Sequence, residues 1–235
     1  MDTQTRQALK KDSFAEATAS SMSWLSGHRS GVVRWGVSAV VVIAVIAGGL
    51  VFWSLRSSAA EKALGAALDV YNSPLAEPGA PYEQGVYSAA SDRSKEANRE
   101  FVAIAGEYGW LPTGAKAHYF AGVTFAELGQ NGSAETELKT ASNAWNRDLA
   151  NLAKLALAGL YHQTARDAQA IEIYNALAAK PSETVPTAVA KLDLADLYAA
   201  QGNLDQARKL WAAVKDADKE GAAGSIAAQK LAAKQ

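Results

Sequence analysis

The sequence predicts an all-α protein in which one membrane-spanning helix is followed by a solenoid of antiparallel helical hairpins. Two observations lead to this prediction. The first is an uncharged run of 21 residues at 35–55, WGVSAVVVIAVIAGGLVFWSL. The second is a pattern of small, aromatic and bulky residues that recurs after 36 and then 37 residues in the second half of the chain. Repeats of this length are typical of stacked helical units that share one continuous core.

The uncharged run is long enough to cross a hydrocarbon core of about 30 Å, since a helix rises about 1.5 Å per residue. Trp35 and Trp53 stand near its ends, where aromatic rings favour the membrane interface, and Arg34 and Arg56 flank it. The alternative is a cleavable secretory signal, because small residues follow at 57–60. The length of the run and the 34 residues before it favour an uncleaved anchor.

Basic residues predict the orientation of the anchor. The tail 1–34 contains five, whereas the first twenty residues after the run contain two, which places the N-terminus inside. If only the basic residues closest to the run are counted, each side has two and the count does not decide the orientation. Long domains cross membranes regardless of their charge, so an exported C-terminal domain is still favoured. Within the tail, scattered apolar residues are consistent either with a short amphipathic helix on the inner leaflet or with a mostly disordered segment.

Composition excludes several classes of function for residues 57–235. This part contains 17 basic and 21 acidic residues, a net charge of −4 without a basic stripe, so nucleic acid is not an expected partner. The chain has no cysteine, which excludes disulfides, thiolate chemistry and a cysteine-based zinc site. A segment of this length is sufficient for one domain with its own core.

Three segments of the chain superpose on five columns. A small residue is followed by an aromatic at +3, a second small residue at +7, an alanine at +12 and a large apolar residue at +16. In column order, the three segments are Gly122, Phe125, Gly129, Ala134 and Leu138; Ala158, Tyr161, Ala165, Ala170 and Tyr174; and Ala195, Tyr198, Gly202, Ala207 and Trp211.

A helical hairpin explains each column. The small Ala195 allows two helix backbones to approach, and Trp211 fills the space beside it. Gly202 suits the left-handed conformation that ends a helix, and Asn203 with Gln206 resembles a capping box that opens the next one. One hairpin cannot bury both of its faces, so the hairpins must stack.

These columns resemble the tetratricopeptide repeat family, whose unit is usually 34 residues long, and the resemblance covers about residues 113–217. The chain departs from the family at two joints, 143–147 and 181–186, which hold two or three extra residues per unit. It also departs at the aromatic position early in each first helix, where His118, Lys154 and Lys191 stand.

The predicted organisation has five parts. A cytoplasmic tail (1–34) precedes the transmembrane helix (35–55) and a degenerate hairpin (56–111) that contains a proline-rich loop (72–92). Three repeat-like hairpins (112–217) and a C-terminal capping helix (218–235) complete the chain, as the ends of a solenoid require.

Residues that could carry out catalysis are not grouped in this sequence. His118 and His162 fall on equivalent helices of different hairpins, so we expect both to be polar surface residues rather than metal ligands or a dyad. The carboxylate clusters have no nucleophilic or basic partner at a fixed spacing, and no phosphate-binding loop, nucleophile elbow or HExxH is present. We therefore predict no enzyme activity, no cofactor and no metal.

A concave groove lined by the first helix of each hairpin is the expected functional surface. An apolar groove of this kind suits an extended or helical segment of another protein. The alternative is that the preceding hairpin or the proline-rich loop covers several of its residues. The helical period predicts that the groove is lined by Lys116, Tyr119, Val123, Leu152, Leu155, His162, Val189, Leu192 and Asp196.

The layout of tail, anchor and exported repeat domain resembles the bacterial family of ancillary subunits of the Sec translocon. This resemblance implies a non-enzymatic scaffold in the inner membrane that faces the periplasm and contacts translocon subunits and a periplasmic chaperone or prolyl isomerase. Two alternatives stay open: a homo-oligomeric structural or cell-division protein of the envelope, and an organellar import receptor with cytosolic repeats. The import receptor is less favoured, because the groove lacks the lysine and asparagine cluster with which some related domains hold a terminal carboxylate.

Overall fold

A computed structural model describes residues 29–77 and 85–233 of the chain, with side chains from Val33 onward. Within these ranges the protein is built of helices without a strand, and a single β-bridge joins Leu75 to Tyr87. The all-α prediction is therefore confirmed. The predicted amphipathic helix in the tail, the centre of the proline-rich loop and the last two residues lie outside the described residues.

The described residues form two compact units, one that ends at Leu55 and one that begins at Arg56. The helices are α1 (Arg29–Tyr71), α2 (Ala90–Tyr108), α3 (Pro112–Glu127), α4 (Asn131–Ala141), α5 (Arg147–Gln163), α6 (Asp167–Ala179), α7 (Thr187–Ala200), α8 (Leu204–Ala217) and α9 (Ala222–Ala233).

Helix α1 contains the apolar run. From Val33 to Tyr71 it is long and apolar enough to cross a membrane, and none of its most apolar window is buried. Trp35 is 81% exposed. A core helix of a water-soluble domain would bury such a surface, so this helix is compatible with a single-pass membrane anchor.

Helices α3 to α8 form three hairpins, and the repeat columns lie where the helices of each hairpin meet. The alanines Ala134, Ala170 and Ala207 are fully buried. At Gly122 a Cβ atom would lie 2.6 Å from Cγ of Leu138, so only glycine allows α3 and α4 to approach this closely. The large members of the last column are all nearly inaccessible: Leu138 1%, Tyr174 5% and Trp211 1% exposed.

The first helix of each hairpin ends on a residue in the left-handed conformation. Gly129 (φ 71°), Ala165 (φ 58°) and Gly202 (φ 79°) occupy the same column. In each case the next residue donates its N–H to a carbonyl five residues earlier, as Arg166 does to Tyr161 at 2.7 Å. This bond satisfies an otherwise unpaired carbonyl at the helix end and reverses the chain direction.

Further layers cover both ends of the repeats. Upstream, Phe101 of α2 is fully buried and stacks on Phe120 of α3 with ring centroids 5.2 Å apart. Downstream, α9 buries Ala227 in the cluster around Trp211, and Lys230 donates to Asp196 at 2.7 Å. Each terminal hairpin therefore has a packing partner, as stacking requires.

A group of charged residues joins the first two hairpins. Glu135 of α4 accepts from Lys139 and from Arg166, each at 2.7 Å, and from the Tyr161 hydroxyl at 3.1 Å. The Arg166 guanidinium also lies 4.3 Å from the centre of the Tyr161 ring. The hydrogen bonds from Lys139 and Arg166 lower the pKa of the Glu135 carboxyl from 4.5 to about 2.

Ala165→Gly should stabilise the fold, because alanine is strained in the left-handed conformation by about 1–2 kcal/mol, partly offset by the greater chain entropy of unfolded glycine. We expect the free energy of unfolding, measured by denaturant titration of the full chain, to rise by about 0.5–1 kcal/mol. Gly129→Ala, the reverse change in the same column, should lower it. A loss of stability in Ala165→Gly would contradict the assigned conformation.

Glu135→Gln should lower stability in a pH-dependent way. A depressed folded-state pKa stabilises the protein above the unfolded-state value of 4.5, and this contribution disappears as the pH falls toward 2. The difference in free energy of unfolding between wild type and variant should therefore be constant above about pH 5 and shrink below pH 4.5. Glu172→Gln, at an exposed position of α6, is the control. A difference that does not change with pH would exclude this account.

Candidate functional site

An open cavity of about 350 Å³ lies between α3 and α5, the first helices of two successive hairpins. We call it the groove pocket. Its lining is mostly small or aliphatic, with one carboxylate and one carboxamide at its rim. The lining residues are Val123, Ala126, Glu127, Leu138, Ala156, Gly159, Leu160 and Gln163.

The helical period of α5 explains why this face stays open. Ala158 and Tyr161 turn inward and are almost fully buried, whereas Ala156, Gly159 and Gln163 lie on another face, since each residue rotates the helix by about 100°. A Cβ atom added to Gly159 would meet nothing within 4 Å. Glycine inside a helix costs about 1 kcal/mol relative to alanine, and no packing contact requires it here.

The Glu127 carboxylate is held in place by the layer before it. It accepts from the Tyr71 hydroxyl at 2.5 Å and from the Ser94 hydroxyl at 2.6 Å. One turn away, the buried Asn98 amide donates to Thr124 at 2.9 Å and to the Ala121 carbonyl at 3.1 Å. These bonds fix the wall that α3 contributes to the groove pocket.

Of the residues predicted on α3, one lines the groove pocket. Val123 lies in its wall. Tyr119 is half-buried beside Phe120, its ring centroid 5.1 Å away, and burial raises the pKa of its hydroxyl. Lys116 is exposed outside the pocket.

The residues predicted on α5 lie beside the pocket rather than in it. Leu152 and Leu155 pack against the core cluster around Leu177. The His162 ring nitrogen Nδ1 lies 2.7 Å from an Asp167 oxygen. On α5 the pocket is lined by Ala156, Gly159, Leu160 and Gln163.

The residues predicted on α7 do not extend this groove. Val189 lines a separate cavity of about 420 Å³ formed with α8 and α9. Leu192 is 8% exposed and belongs to the core cluster of Trp211, so its assignment to an open surface is corrected. Asp196 accepts from the Trp211 indole N–H at 3.2 Å and from Lys230.

Three of the four predicted membrane-interface residues are exposed: Arg34, Trp35 and Trp53. Arg56 is not a free cation, because it pairs with Glu107 at 3.0 Å and its guanidinium lies 5.1 Å from the centre of the Tyr108 ring. This residue therefore contacts α2, and its position at the membrane interface stays a prediction.

The histidines of the described chain are paired separately. His118 lies 2.6 Å from Glu137, and His162 contacts Asp167, so each ring has a carboxylate within its own hairpin. No group of three or more metal-ligating residues is found among the described residues.

Stacked hairpins with an exposed groove define an α-solenoid scaffold, a class in which concave surfaces bind other proteins. The family description "tetratricopeptide repeat-like domain" matches residues 33–233, and the chain belongs to this family. The matched region includes the apolar part of α1. Domains of this family mediate protein–protein interactions and are generally non-catalytic. Searches of the curated proteins and of the solved structures gave no match.

Two alanine substitutions distinguish the open pocket from the core. Gly159→Ala should raise the free energy of unfolding by about 0.5–1 kcal/mol, because helix propensity improves and the new methyl group meets open space. Leu192→Ala should lower it by about 2–5 kcal/mol, because it leaves a cavity beside Trp211. Denaturant titration of the full chain measures both. Destabilisation by Gly159→Ala would mean that the pocket is covered.

Proposed function

We propose that this protein is a membrane-tethered, non-enzymatic scaffold whose groove pocket binds a segment of another envelope protein. The observation that supports it best is the combination of an open pocket on the first helices with an unburied apolar helix of membrane-spanning length. The family supports the general part of the proposal, because its domains mediate protein–protein interactions.

The lining of the pocket limits what it can bind. Over Ala126, Ala156 and Gly159 a partner backbone can approach closely, and an apolar side chain can reach Val123 and Leu160. Glu127 keeps acceptor capacity beyond its two hydrogen bonds, since a carboxylate has about four lone-pair sites. A helical or extended segment with an apolar anchor next to a hydrogen-bond donor fits this lining.

The proposal also specifies the membrane in which the protein lies and the proteins that it binds. The basic residues of the tail favour an N-terminus in the cytoplasm and a repeat domain in the periplasm of a bacterial cell, with the anchor in the inner membrane. The layout of tail, anchor and repeats supports translocon subunits and a periplasmic chaperone or prolyl isomerase as the proteins that are bound. The protein then assists newly exported chains.

In-membrane photo-crosslinking tests the proposal. A photoreactive amino acid is placed at Ala156 or Gln163 in the groove pocket, and at the exposed Lys209 of α8 as the control. We expect adducts with translocon subunits or export chaperones from the two pocket positions and not from position 209. Adducts only with a second copy of the chain would instead support the homo-oligomeric alternative.

A matched pair of variants then connects the adducts to the pocket. Gly159→Arg fills the groove, whereas Gly106→Arg adds the same side chain where α2 also has open space. The first should abolish crosslinking from position 163 and the second should preserve it, with equal helicity by circular dichroism. Equal crosslinking in both variants would remove the groove pocket from the proposal.

A further inference from the structure

A second cavity, of about 710 Å³, lies at the start of α5. We call it the joint pocket, because its walls include residues 143–145 of the joint between α4 and α5 and Lys180, which directly precedes the joint after α6. Both joints are segments in which the chain is longer than the usual repeat unit. Its lining includes Asn143, Trp145, Arg147, Asn151, Lys154 and Lys180.

Trp145 presents its whole side chain to solvent, with a relative exposure of 105%. Trp211, in contrast, is 1% exposed. Because burial of apolar surface is favourable, exposure of an entire indole ring to water is unfavourable relative to burial. Tryptophan is also one of the residue types enriched among the anchors of protein–protein interfaces. Its position on the rim of a concave cavity is therefore suited to contact with a ligand.

Positive charge is concentrated in this cavity although residues 57–235 carry a net charge of −4. Arg147, Lys154 and Lys180 line it, and no carboxylate is among its described lining residues. In the first hairpin, the residue equivalent to Lys154 is His118, which contacts Glu137. The residue 36 positions after Glu137 is Ile173, so the second hairpin offers Lys154 no such partner.

Contacts between the two joints hold the cavity in shape. Arg147 donates to the Pro181 carbonyl at 3.0 Å, and the Thr184 hydroxyl donates to the Asp148 carbonyl at 3.0 Å. The amide of Asn151, which is 5% exposed, donates to the Lys180 carbonyl at 3.4 Å. A cavity whose walls are bonded to each other loses little conformational entropy when it binds a ligand.

We propose that the joint pocket docks an acidic protein segment that carries an apolar or aromatic side chain. Carboxylates of the segment pair with Lys154 and Lys180, and its apolar side chain lies against the Trp145 ring. The concave shape of the cavity favours a protein segment over an anionic membrane surface, which is flat. This proposal does not depend on the groove pocket, because the two cavities share no lining residue.

Fluorescence anisotropy on the full chain in uncharged detergent tests this proposal. The probe is a labelled peptide of alternating aspartate, glutamate, phenylalanine and proline, and the comparison peptide has lysine in place of each acidic residue. We expect the acidic peptide alone to bind, with an affinity that falls as salt is added. Trp145→Ala and the double variant Lys154→Glu with Lys180→Glu should each weaken binding about tenfold or more.

Lys209→Glu with Lys215→Glu is the matched control, because it makes the same change in net charge at two exposed positions of α8. It should leave the affinity within about twofold of wild type, since rim charges far from a contact contribute little. Equal binding of both peptides, or equal loss in the two double variants, would overturn the proposal.

A membrane is the other possible source of anionic groups. The full chain in phosphatidylcholine nanodiscs is mixed with vesicles that contain phosphatidylglycerol, and co-sedimentation is measured. Vesicle binding that requires Trp145 and Lys154, together with no binding of the acidic peptide, would assign the joint pocket to lipid and overturn the protein-docking proposal. Unchanged melting curves of all variants by circular dichroism confirm that they are folded.

Discussion

The close approach of two helices, made possible by a small residue opposite a large one, is the constraint on which the repeat domain depends. Gly122 is the clearest example, because a Cβ atom added there would lie only 2.6 Å from Cγ of Leu138. Ala195 and Trp211 occupy the same two columns in the third hairpin, and both are almost fully buried. When the two helices of a hairpin approach closely, their facing side chains are buried. The outer faces of the hairpin are then covered by the next hairpin in the stack.

The same constraint explains where the open surfaces lie. Because α5 directs Ala158 and Tyr161 toward α6, the face with Ala156 and Gly159 takes no part in its own hairpin and is available to line a groove. The joints have a different origin. Their extra residues are not needed for the repeat, and they form a cavity with a fully exposed Trp145. The groove pocket therefore follows from the repeat pattern, whereas the joint pocket follows from the extra residues that depart from it.

The hairpins could be predicted from the sequence because every column recurs at a fixed distance along the chain. The left-handed turns at Gly129 and Gly202 follow from the same pattern, and Ala165 adopts that conformation against its own preference because the column requires it. The long apolar helix was also predictable, since its length and composition are local properties.

The groove residues could be predicted only in part. The helical period alone does not fix the rotation of α5 against α3, so it did not single out Gly159 as a residue that lines the pocket. Leu192 is buried because Trp211 and α9 cover it, which depends on contacts between distant segments. The signal that was available was Gly159 itself, a helix-interior glycine outside the repeat columns. The joint pocket depends on hydrogen bonds such as that between Arg147 and Pro181, which no local pattern predicts.

The central claim is that the inward face of α5 holds the hairpin together while its neighbouring face stays open. Because the chain has no cysteine, Ala158→Cys and Gly159→Cys each introduce a single thiol, one on each face. The account predicts that maleimide modifies Cys at position 159 rapidly in the folded full chain and modifies Cys at position 158 only after denaturation. Protection of both positions, or equal reactivity of both, would contradict it.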